Sequence, residues 1–204
     1  MPRAYSRGMA FLFDSFCAAA LFVAAILSWG MAESACPGAR INLRFAAMML
    51  AVFSAARTLP NSDLALDAAL LMPSLAAAAA LLALSFPRCA SVWLSCLILL
   101  AGLATGLLAA VQMMPVLALG YQAGAALAMF AWGISHFGEK PHAAVLANLS
   151  AASLLLGAMA VMNASLGAAM LFFASFLLLA TRASQAAIAD QRRHARWFIS
   201  GERA

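Results

Sequence analysis

Residues 143–181 read AAVLANLSAASLLLGAMAVMNASLGAAMLFFASFLLLAT, thirty-nine positions without one Asp, Glu, Lys or Arg. An α-helix rises about 1.5 Å per residue and the hydrocarbon core of a bilayer is about 30 Å thick, so about 20 mostly apolar residues make one span. Asn163 divides this stretch into two such lengths, 143–162 and 164–181. Inside lipid no water is available to backbone N–H and C=O groups, so a spanning chain must be a helix or a closed barrel. A barrel strand is short and alternates apolar with polar residues, and nothing in 143–181 alternates in that way. The stretch therefore predicts two transmembrane helices.

Working outward, five further windows approach the same length: 8–32, 41–59, 64–86, 89–111 and 114–137. The dividers are polar or carry proline, as in Glu33-Ser-Ala-Cys-Pro-Gly, Leu59-Pro-Asn-Ser-Asp, Pro87-Arg and Gly138-Glu-Lys-Pro-His. Composition agrees, with 66% hydrophobic and 9% charged residues among 204 and a mean hydropathy of +0.96. Soluble domains hold about 45–50% apolar residues and about a quarter charged, and water could not solvate this surface. The expectation is an all-α polytopic bundle over residues 1–181 with seven spans, or six if the window 41–59 lies in the interface. That window is the weakest, because only twelve uncharged residues separate Arg44 from Arg57.

Cytoplasmic loops carry the excess of Lys and Arg. Seven spans with the C-terminus inside place nine basic residues in the cytoplasm (Arg40, Arg44, Arg88, Lys140, Arg182, Arg192, Arg193, Arg196, Arg203) and three outside (Arg3, Arg7, Arg57). Six spans move Arg3 and Arg7 in and Arg40, Arg44 and Arg57 out, again nine to three. Both readings predict a cytoplasmic C-terminus, and window length favours seven. The first window also has the outline of a signal peptide, but Asp14 inside its apolar run argues that it is retained as a span.

Of the formal charge of +5, residues 182–204 carry +3, five Arg against Asp190 and Glu202, and this basic tail is predicted to be an interfacial helix. There Arg192, Arg193 and Arg196 meet anionic headgroups and Trp197 dips toward lipid. Such a tail implies lipid as a partner and no nucleic acid. Cys17, Cys36, Cys89 and Cys96 form no CxxC pair and read as small apolar residues. Asn148-Leu-Ser and Asn163-Ala-Ser fit the glycosylation sequon, but they sit in or beside apolar windows where modification does not occur.

Polar groups inside spans are the first functional candidates, because burying them in lipid is expensive. Asp14, Arg44, Arg57, Asp67, Gln122 and Asn148 form this set, and in a permease they would converge on one cavity. Asp14 lies near enough to a helix end to reach the interface, and Asp67, with Asp63, suits a helix N-terminus. Gln122, Asn148 and Asn163 suit interhelical hydrogen bonds. Gly102-Leu-Ala-Thr-Gly106 and Gly120-Tyr-Gln-Ala-Gly124 place paired small residues on one helix face, and they predict close packing between those two helices. His136, Glu139 and His142 have metal-ligand side chains, but Pro141 interrupts the helix that would align them, and a polar hairpin is the expected role.

Lys140, the only lysine, lies in a loop, so no span offers the amine of a retinal Schiff base. Facing histidines for haem are lacking, as are the HExxH, GxSxG and P-loop patterns. No cofactor is expected, and catalysis is disfavoured. The sequence therefore predicts a non-catalytic membrane module, an accessory, assembly, sensory or scaffold unit working with a membrane-protein partner or as a homo-oligomer. The competing reading is a small-solute permease or channel, with Pro73 and Pro115 marking broken helices. Short basic loops point to a bacterial inner membrane.

Overall fold

The computed structural model describes residues 2–35, 37–57, 92–111, 115–163 and 165–201. The window 64–86, with Asp63, Asp67 and Pro73, lies outside them. Six α-helices occur in this set: α1 (Pro2–Met31), α2 (Pro37–Arg57), α3 (Val92–Val111), α4 (Pro115–Ser135), α5 (Pro141–Met162) and α6 (Leu166–Gly201). A short 3-10 turn, Ala32–Ser34, follows α1, and no described residue belongs to a strand. Proline opens α2, α4 and α5 as their first residue. Its fixed φ suits a first helical turn, and its missing N–H costs nothing there.

Four of these helices contain segments long and apolar enough to cross a membrane: Leu12–Ser34, Val116–Ser135, Pro141–Met162 and Leu166–Asp190. The apolar segment of α6 thus runs past residue 181, and the helix continues without a break to Gly201. At about 1.5 Å per residue its 36 residues make a rod of about 54 Å, well beyond a hydrocarbon core of about 30 Å. Ala183, Ser184 and Asp190 are buried, so the first part of the basic tail packs as part of the bundle. The polar and charged residues that enter after Thr181 do not end the helix, because Ala, Gln and Arg all favour helical backbone.

Packing runs in the order α2, α1, α6, α5, α4, α3, each helix against its neighbour, with α2 also touching α6. Paired contacts fix the directions. Ser54 Oγ donates to the Ala18 carbonyl at 2.5 Å and Arg44 pairs with Glu33, so α2 returns antiparallel along α1. Ser150 Oγ donates to the Phe176 carbonyl at 3.1 Å, and Phe173 lies against Gly157, so α5 and α6 are antiparallel. By contrast α1 and α6 are parallel, since Gly167 meets Phe13 and Asp14 while Gln185 reaches Met31.

The core is built on α6, whose Met170, Phe173, Phe176 and Leu177 are buried together with Leu21, Phe53, Met129 and Leu154. Alanines fill the gaps, notably Ala143, Ala144, Ala147, Ala151 and Ala158 on α5. In lipid there is no water-driven gain from burying leucine, and small side chains that let helices approach supply dispersion contacts instead. The outer faces expose Phe16, Ile26, Leu127, Ile134, Leu156 and Met159, a surface that only a bilayer or another protein solvates.

Candidate functional site

The antiparallel and parallel pairings bring the end of α1, the start of α2, the hairpin between α4 and α5, and the middle of α6 to one end of the bundle. Most of the described charges gather there. Arg44 pairs with Glu33, and its guanidinium stacks 5.3 Å from the Trp29 ring centroid. Gln185 on α6 donates to the Met31 carbonyl at 2.6 Å and to Ser34 Oγ at 2.7 Å, while Ser34 Oγ donates to Met31 at 3.0 Å. The last carbonyls of a helix lack intrahelical partners, and Gln185 supplies one for α1.

Next to this knot lies a carboxylate. Asp190, 4% exposed, accepts from His142 Nδ1 at 3.0 Å and from the Ala143 backbone N–H at 3.3 Å. Helix α5 has no acidic residue in its first turn, and its N-cap Lys140 makes no side-chain capping bond. Exposed N–H groups and the positive end of the helix dipole favour an anion at such a terminus. Sequence reading passed over Asp190, Gln185, Glu33 and Trp29. The one available signal was an uncapped helix start at Pro141, which needed a remote acceptor.

Each predicted site residue can now be placed. Asp14, partly buried and near the middle of α1, sits beside Gly167, about 25 Å of helix from the Met31 end where Arg44 meets Glu33. Arg44 therefore pairs with Glu33 and not with Asp14. Arg57 closes α2, and its side chain, like those of Arg196 and Trp197, is outside the described residues, as is all of Asp67. Gln122 on α4 is buried with its Oε1 lacking a partner, and Asn148 Oδ1 on α5 is likewise buried without one. Asn148 rests on Gly133, where any side chain would collide with it. Gln122 is eleven residues from Gly133, about 16 Å along α4. Gln122 and Asn148 thus stand at different levels of the α4–α5 pair.

His136 and His142 face different partners. His136 Nδ1 lies 3.0 Å from the Trp132 carbonyl and 2.9 Å from Ser135 Oγ, its ring stacked on Trp132 with centroids 4.8 Å apart. His142 turns to Asp190, and Glu139 is exposed. Among the described residues no three His, Cys, Asp or Glu side chains are grouped to hold a metal. The glycine pairs also differ from each other. Gly102 and Gly106 are buried, whereas Gly120 and Gly124 are exposed with open space where a Cβ would stand. Arg192 and Arg193 project outward from α6.

A helical bundle with four segments of spanning length and hydropathy belongs to the class of all-α membrane proteins. No family model, curated protein or solved structure matches this chain.

Proposed function

We propose that this chain is a non-catalytic module of a membrane complex, an accessory or scaffold bundle that crosses a bacterial inner membrane seven times with its charged end and C-terminus in the cytoplasm. The observation that carries this reading is the separation of Gln122 and Asn148, the two buried amides with unpaired oxygens, by about 16 Å along the α4–α5 pair. A solute pathway requires such groups to share a cavity. Support for seven spans comes from α2, which runs beside α1 from Glu33–Arg44 to Ser54–Ala18 instead of lying across the bundle end. Arg40 and Arg44 then share a side with Lys140, Arg182, Arg192 and Arg193, the arrangement that the positive-inside rule favours.

The partner surface has two parts. Gly120 and Gly124 present an open small-residue face on α4 for a helix of another subunit or of a second copy. Beyond Asp190, α6 runs on through Arg192, Arg193, Arg196 and Trp197 to Gly201, a basic stretch that suits anionic headgroups. A permease or channel is the second reading, favoured only by the unpaired buried oxygens of Gln122 and Asn148. Affinity purification from native membranes in mild detergent, followed by mass spectrometry and sizing, tests the choice. A stoichiometric membrane partner supports the module. A lone monodisperse protomer that moves a solute in proteoliposomes overturns it.

A further inference from the structure

An open groove of about 490 Å³ runs between the parallel helices α1 and α6, lined from Phe16 to Leu27 on α1 and from Leu171 to Leu178 on α6. Its floor is lowered by Ala24 and Ala174, both buried, between larger walls. Its one hydroxyl, Ser175 Oγ, donates to the Leu171 carbonyl at 3.0 Å, so the groove offers no free donor and suits a hydrocarbon rather than a polar solute. Phe16 to Leu27 is eleven residues, about 16 Å, close to half of a 30 Å hydrocarbon core and so to the depth of one leaflet.

One end of this groove is charged. Arg182 follows Leu171, Ser175 and Leu178 at helical spacing, on the same face of α6 and one turn beyond the groove. It is exposed, and among the described residues its polar contact is Gln185 Oε1 at 3.5 Å, with no carboxylate in ion-pair range. An acyl chain lying in the groove would place its lipid's phosphate at that guanidinium, where the planar fork matches phosphate oxygens.

We propose that the α1/α6 groove is a binding site for one anionic phospholipid, with an acyl chain over Ala24 and Ala174 and the phosphate on Arg182. The site is independent of whether the bundle serves as a module or a permease. Phosphatidylglycerol retention is the readout, measured by mass spectrometry of protein reconstituted from mixed phosphatidylglycerol and phosphatidylcholine vesicles and then washed in detergent. Arg182→Gln removes the charge, and Ala19→Phe fills the groove mouth from an exposed position. Arg182→Gln lowers retained phosphatidylglycerol about fivefold, the share of one basic contact at a membrane surface, Ala19→Phe lowers it by blocking the acyl chain, and Lys140→Gln leaves it unchanged. Unchanged retention in Arg182→Gln or Ala19→Phe, an equal loss in Lys140→Gln, or equal retention of the two lipids by the wild type overturns the site.

Discussion

Asp190 caps α5 from another helix, its carboxylate 3.0 Å from His142 Nδ1 and 3.3 Å from the Ala143 N–H. The two oxygens divide the work between an exposed imidazole and a buried backbone donor. Asp190→Ala leaves that donor unsatisfied beside a dipole that favoured an anion, a loss of about 1–3 kcal/mol. Asp190→Asn keeps an acceptor and costs less. His142→Ala removes a partner whose side chain is 64% exposed, and solvent screening holds that effect to about 0–1 kcal/mol. Thermal unfolding in detergent should rank the three variants in that order.

Glycines divide by what a side chain would meet. At Gly157 an added Cβ would lie 2.8 Å from the Phe173 ring, whereas at Gly120 and Gly124 it meets nothing within 4 Å. Gly157→Ala forces the α5–α6 contact apart and destabilises by about 1–3 kcal/mol. Gly120→Ala and Gly124→Ala leave stability unchanged or raise it by up to about 1 kcal/mol through helix propensity. Larger residues, Gly120→Leu and Gly124→Leu, keep the melting temperature but reduce recovery of the partner in pull-downs.

Gln185→Ala removes both bonds that tie α6 to the Met31–Ser34 corner. Amide exchange at residues 32–35 should then accelerate about tenfold, as expected for loss of about 1 kcal/mol or more of local protection. Exchange within α5 should stay as in the wild type.

Gln122→Leu and Asn148→Leu replace buried groups whose oxygens are unpaired. If these residues only pack helices, apolar replacements of similar size are neutral or slightly stabilising, and partner recovery is retained. Loss of a transport activity with the fold intact would instead place them on a solute path.

How much of this was legible follows from the range of each interaction. The helices were readable because crossing lipid imposes a local rule, about 20 apolar residues, and because Pro37, Pro115 and Pro141 sit at helix starts. The windows 114–137 and 143–162 differ from α4 and α5 by at most two residues at each end. The tail after 181 reads as helix-forming and α6 runs on to Gly201, but the window ending at 181 fell short of the apolar segment, which reaches Asp190. The polar knot was not readable. Gln185 and Met31 are 154 residues apart, and they meet only because α1 and α6 run parallel, which no local pattern encodes. The GxxxG spacing marked Gly120 and Gly124, whose faces are open, equally with Gly102 and Gly106, which are buried, and it left unmarked the close approaches at Gly133, Gly157 and Gly167.

The central claim is a membrane-crossing bundle whose charged corner, from Glu33 to the α4–α5 hairpin, lies on one side. The direct measurement is cysteine accessibility in spheroplasts, with Cys17, Cys36, Cys89 and Cys96 replaced by Ala and single cysteines introduced as Glu33→Cys, Glu139→Cys and Ser165→Cys. The account predicts that an impermeant maleimide labels only the cysteine at 165 in intact spheroplasts, and all three after permeabilisation. Labelling at 33 but not at 139 would put the two halves of the corner on opposite faces and contradict the account.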